Sequence, residues 1–95
     1  MLAILVESDT EDKGLQYSRT LAAIIKNDIM KDGIVIGPAS ATIKKISDIY
    51  RFMIYVKAAN ADVLIRVKDV VEATEQSMGT KGVRILFDMD PVNGY

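Results

Sequence analysis

Ile49-Tyr50-Arg51-Phe52-Met53-Ile54-Tyr55-Val56-Lys57-Ala58 decides the fold, because ten residues alternate with a period of two and no glycine or proline interrupts them. Tyr50, Phe52, Ile54 and Val56 fall on one face; Arg51, Met53, Tyr55 and Lys57 fall on the other. That is the pattern of a strand packed on one side and open on the other. Immediately before it, residues 37–47 are loop-like: Pro38 disfavours helix at Gly37, and Ser40 and Thr42 are weak helix formers. Ile34-Val35-Ile36 is a short strand ahead of that loop. Further upstream, Gly14, Ser18, Leu21, Ala22, Ile25 and Ile29 recur at helical spacing. Ser8 with Glu11 reads as the capping box of this helix, and Gly33 as its left-handed C-terminal cap. Leu2 to Glu7 is a first strand.

Downstream, Asn60 can cap a second helix whose stripe is Val63, Val67, Val70, Val71 and Thr74. Met78 to Gly82 is a turn, Val83 to Met89 is a last alternating strand, and Pro91 stops it. The order βαββαβ predicts an α+β, ferredoxin-like sandwich: one four-stranded, mostly antiparallel sheet with two helices on one face. Right-handed crossovers put the first and third strands in the centre. No linker or repeat divides the chain, so residues 1–95 read as one domain.

Ninety-five residues, 49% apolar and 26% charged, can hold a core without staples. There is no cysteine and no histidine. That excludes disulfides, thiolate zinc, cysteine nucleophiles and the commonest general base. No apolar run approaches a membrane span, and no basic leader follows Met1. The expectation is a soluble, cytoplasmic domain that is not an enzyme by itself and holds no cofactor.

Charge is uneven along the chain. Residues 34–57 carry Lys44, Lys45, Arg51 and Lys57 against Asp48, a net of +3, while the segments on either side are each −2. A basic segment in an acidic domain reads either as an anion-facing surface or as an ordinary solvated face. On the open face of the third strand, Arg51, Tyr55 and Lys57 combine cations with a ring, as platforms for single-stranded nucleic acid do. The aromatic run of an RNA-recognition module is missing, since the first strand offers Ala3 and Leu5. Asp88 and Asp90 share a strand face, but two carboxylates alone make no metal site. Gly79-Thr80-Lys81-Gly82 lacks phosphate-loop spacing and leads into a strand.

Three motifs, in order, resemble the C-terminal domain of the primosomal replication-restart helicases (primosomal protein N′). They are the loop from Gly37-Pro38 to Lys44-Lys45-Ile46, the strand opening Tyr50-Arg51-Phe52 with Lys57 near its end, and the closing Phe87-Asp88-Met89-Asp90-Pro91. The opening Leu2 to Ser8 is also similar to the strand that follows the motor in that family. Ser40 and Thr42 stand where the family usually has prolines, and Ala59-Asn60 where it often has Pro-Ser. The resemblance covers nearly the whole chain, and a strand beginning at Leu2 fits a domain cut from a longer one.

The resemblance implies an accessory DNA-binding, fork-recognising domain of an ATP-dependent helicase. ATP hydrolysis and zinc would then belong to the full-length parent. It also implies partners: branched or single-stranded DNA, the helicase motor, single-stranded-DNA-binding protein and other primosome proteins, and no membrane. Lys44, Lys45, Arg51, Tyr55 and Lys57 are the candidate nucleic-acid contacts. Gly37, Pro38, Tyr50, Asp88, Asp90 and Pro91 are the motif positions with a structural role. Arg51 has two readings: a DNA contact, or a salt bridge to Asp88 or Asp90 across the sheet. Two other functions stay open: a protein-docking module on the motor or on single-stranded-DNA-binding protein, and a stand-alone ligand-binding dimer.

Overall fold

A computed structural model of the protein describes residues 1–29, 33–46, 49–79 and 82–89, with backbone alone for 41–46. The elements are β1 (Leu2–Ser8), α1 (Glu11–Ile29), β2 (Gly33–Ile46), β3 (Ile49–Ala58), α2 (Ala61–Met78) and β4 (Val83–Met89). Their sheet order is β2-β3-β1-β4, with β1 and β3 in the centre and every neighbouring pair antiparallel. This is the ferredoxin-like α+β arrangement that the order of elements predicts.

Period-two alternation sends Leu2, Ile4 and Val6 of β1 and Phe52, Ile54 and Val56 of β3 into the space beneath the helices. There they meet Leu21, Ile25 and Ile29 of α1 and Leu64, Val67 and Val71 of α2, all buried. Two core members lie beyond the predicted stripes. Tyr17 turns inward because its ring packs against the core while its hydroxyl donates to the Gly79 carbonyl at 3.3 Å. Leu64 is buried where Val70 and Thr74 are half-buried, so the inward face of α2 is rotated from the one expected.

The helices sit close to the sheet. A Cβ on Gly14 would lie 2.8 Å from the Phe52 ring and 2.9 Å from the Ser8 Cβ. Ser18 in the next turn is buried and donates to the Gly14 carbonyl at 2.7 Å. Arg66 of α2 reaches Asp28 of α1 with Nε 3.0 Å from Oδ2, tying the two helices together.

Several local expectations need correction. Ser8 is the last residue of β1, paired with Tyr50 and Val83 and buried, so it does not cap α1. Thr10 does: its Oγ1 accepts from the Lys13 amide at 3.3 Å, and Ser8 Oγ accepts from the Thr10 amide. Gly33 is not a helix cap but the first residue of β2, opposite Ala58. A Cβ there would collide with the Lys57 carbonyl. The expected cap at Asn60 is present, its side chain accepting from the Asp62 amide at 2.8 Å.

The largest correction concerns residues 37–47. Residues 37–46 are not a loop but the continuation of β2, interrupted by two irregularities. Between Ile36, opposite Tyr55, and Ala39, opposite Met53, β2 carries one residue more than β3. The extra residue is absorbed at Gly37-Pro38, where the peptide is cis and Gly37 has φ 105°. A Cβ on Gly37 would lie 2.6 Å from the Met53 carbonyl, so the bulge needs glycine. A second shift follows between Ser40, opposite Phe52, and Lys45, opposite Tyr50. Gly37-Pro38 is therefore a bulge within a strand and not a strand's exit.

Candidate nucleic-acid interface

The helices cover one face of the sheet and leave the other open. Along β3 that open face presents Arg51, Met53, Tyr55 and Lys57, as the alternation predicts. Met53 and Tyr55 are half-buried and Lys57 is exposed. β1 adds Ala3, Leu5 and Glu7, and β4 adds Arg84, Leu86 and Asp88. The middle of this face is apolar and its ends are charged.

One end is built around Glu7. Register places Arg51 and Arg84 on either side of it, one on each neighbouring strand. Arg51 Nε lies 2.9 Å from Glu7 Oε2, with both side chains largely shielded, at 22% and 13% exposure. Arg84 stands 4.0 Å from the other carboxylate oxygen and is 73% exposed. Arg51 Nη1 is out of solvent and has no hydrogen-bond partner among the described residues.

This corrects the expected partner of Arg51. Asp88 lies opposite Ala3, four residues along β1 from Glu7, which is about 13 Å at strand rise. Asp90 lies outside the described residues, as does Pro91. Glu7 itself carries no motif in the sequence. Only the β1–β3 register reveals its pairing with Arg51, and that register is a long-range property.

The remaining candidates divide between framework and surface. Tyr50 is half-buried against the core and pairs with Ser8 on one side and Lys45 on the other. Lys44 and Lys45 fall in the second half of β2, where Lys45 pairs with Tyr50 and Lys44 lies within the irregularity between Ser40 and Lys45. Among the described residues, no three carboxylates gather into a metal-binding group. None of the described helices is long and apolar enough to cross a membrane.

The hairpin thus collects Lys44, Lys45, Arg51 and Lys57, the four cations of the segment whose net charge is +3. Arg51 is committed to Glu7. Lys57 stands at the far end of β3, opposite Ile34. An antiparallel hairpin that carries lysines can meet a phosphate backbone without reading bases.

Compared with known families, residues 1–92 match the family model described as the primosomal protein N C-terminal domain. No curated protein matches the sequence.

Proposed function

Because the chain belongs to the family of primosomal protein N C-terminal domains, we propose that it serves primosome assembly as an accessory DNA-binding domain. Its β2–β3 hairpin holds the phosphates of branched or single-stranded DNA. The observation that carries this reading is the pairing of Lys45 with Tyr50, which supports the lysine pair on a strand anchored to the sheet. Backbone pairing at Lys45 already orders the chain beside the two lysines, so less backbone freedom is lost when phosphate arrives.

The chemistry required is modest. Lysine is a compact, strongly hydrated cation that binds phosphate as a point charge, and displaced counterions supply most of the free energy. Recognition is then of backbone shape and not of base sequence. The domain positions DNA for the rest of the primosomal protein, and ATP-driven chemistry belongs to a motor outside this chain.

Fluorescence anisotropy with a labelled fork and a labelled single strand, at low salt, tests the reading. Lys44→Ala combined with Lys45→Ala is expected to weaken binding to both DNAs while the thermal melt stays near that of the parent chain. Equal affinity for the parent chain and the double variant would overturn the assignment of the hairpin.

A further inference from the structure

We infer that Arg84 is a further phosphate contact, on the opposite edge of the sheet from the hairpin lysines, so that bound DNA crosses the strands at this end of the domain. The inference rests on the DNA-binding reading above and extends it to β4, which lies outside the basic segment of the sequence. Register makes the connection. Lys45 stands opposite Tyr50, Tyr50 opposite Ser8, and Ser8 opposite Val83, one row that runs from β2 to β4. In the next row Arg51 and Arg84 flank Glu7. Arg84 therefore shares an end of the sheet with Lys45, the two edge strands being about 14 Å apart at ordinary strand spacing. One strand of DNA covers that distance in about four nucleotides at duplex spacing.

Charge leaves Arg84 in surplus here. Glu7 is already met by Arg51 at 2.9 Å, with both side chains largely shielded. Arg84 Nε lies 4.0 Å from the other Glu7 oxygen, too far for a hydrogen bond, and its side chain is 73% exposed. Asp9, the other carboxylate at this end, lies 3.3 Å from Lys13 Nζ. Each carboxylate thus has a closer cation than Arg84. An exposed ion pair without a hydrogen bond is weak and screened by salt, so a phosphate can replace Glu7 as the partner of Arg84. The planar guanidinium then offers two parallel N–H groups to the phosphate oxygens.

The surface between the two edges is hollowed. A depression of about 330 Å³ is bordered by Ile49, Gly82 and Arg84, with Glu7 and Asp9 in its wall. Ile49 pairs with Ile46, the neighbour of Lys45, so the hollow reaches from the hairpin to Arg84. Apolar Ile49 gives a sugar or base a surface to rest on. The two carboxylates disfavour phosphate within the hollow and leave it to the cations at either side. That arrangement sets where along the strand the contacts fall.

Anisotropy of a labelled oligothymidylate over a salt series tests the inference on the 95-residue chain, with a thermal melt of each variant. Arg84→Gln should make the slope of log affinity against log salt shallower by about 0.7, the share of one phosphate contact on a single strand. With lines that meet near about 1 M salt, that is about eightfold weaker binding at about 50 mM. Arg84→Lys keeps the charge and should recover most of the slope. Arg19→Gln removes an equal charge from an exposed position on α1, across the sheet from the open face, and should leave the slope unchanged. Arg84→Gln added to the lysine pair should bring the total change to about 2.1. A line for Arg84→Gln parallel to that of the parent chain would overturn the inference. So would an equal effect of Arg19→Gln, which would show that net charge alone is felt. The lysine variant is read separately: if it loses slope and Arg84→Gln does not, this inference falls and the hairpin assignment stands. The reverse result overturns the hairpin and keeps Arg84.

Discussion

Arg51 separates recognition from packing, because one substitution gives opposite outcomes under the two roles. Its Nε–Glu7 contact at 2.9 Å is largely shielded from solvent. Removing one member of a fully buried ion pair costs about 3–5 kcal/mol, whereas exposed pairs are worth about 0–1. Arg84 remains near Glu7 after Arg51→Ala, so an intermediate loss of about 1–2 kcal/mol is expected. In a domain of this size that lowers the melting temperature by about 4–16 °C. The salt dependence of DNA binding should not change. A variant with an unaltered melt and weakened DNA binding would return Arg51 to the DNA contacts.

Tyr17 gives the residue scale a pH signature. Burial, with Glu75 nearby adding to it, raises its pKa above the ordinary 10.0. The protonated hydroxyl is the form that donates to Gly79. A group whose folded pKa lies above its unfolded one adds stability that is complete below the unfolded pKa and fades as pH rises through the folded one. Melting temperature should therefore fall more steeply above pH 10 in the parent chain than in Tyr17→Phe, measured in parallel by circular dichroism. Parallel curves would show that Tyr17 ionises without consequence. Tyr17 and Leu64 were not legible as core members because stripes drawn from small and β-branched residues omit them. Each is fixed by a neighbour distant in sequence.

Among the elements, the β2–β3 hairpin shows where sequence reading stops. β3 is evident from its unbroken alternation, and β1, β4 and both helices are also legible. β2 is not, because Gly37-Pro38 breaks the period and two irregularities shift the register beyond it. Those residues become strand only because β3 offers a ladder to pair with, a tertiary effect that local propensity does not contain. The cap of α1 was misplaced by two residues for a related reason: Ser8 and Thr10 are both good caps, and sheet pairing claims Ser8. Gly37→Ala tests the bulge. With φ at 105° and the Met53 carbonyl 2.6 Å from the new Cβ, the variant should lose more than about 1 kcal/mol. It should also increase hydrogen exchange in the β2–β3 ladder. Protection equal to the parent chain would show that the bulge tolerates a side chain.

At the scale of the whole molecule, one face of the sheet builds the core and the other is open, while the β2–β3 hairpin carries the basic segment of the sequence. The fold class and central strands were legible because they follow from element order and handedness. The division of the open face into an ion-paired end and an apolar middle was not, because it depends on register. If the lysine pair holds DNA through phosphate charge, salt must weaken binding through those two residues. Binding constants for a fork, taken by anisotropy over a series of salt concentrations, measure that dependence. Two phosphate contacts to single-stranded DNA contribute about 1.4 to the slope of log affinity against log salt. Lys44→Ala with Lys45→Ala should give a slope shallower by about that amount, alike for forks of different base sequence. Parallel lines for the parent chain and the double variant would mean that the lysine pair does not meet phosphate.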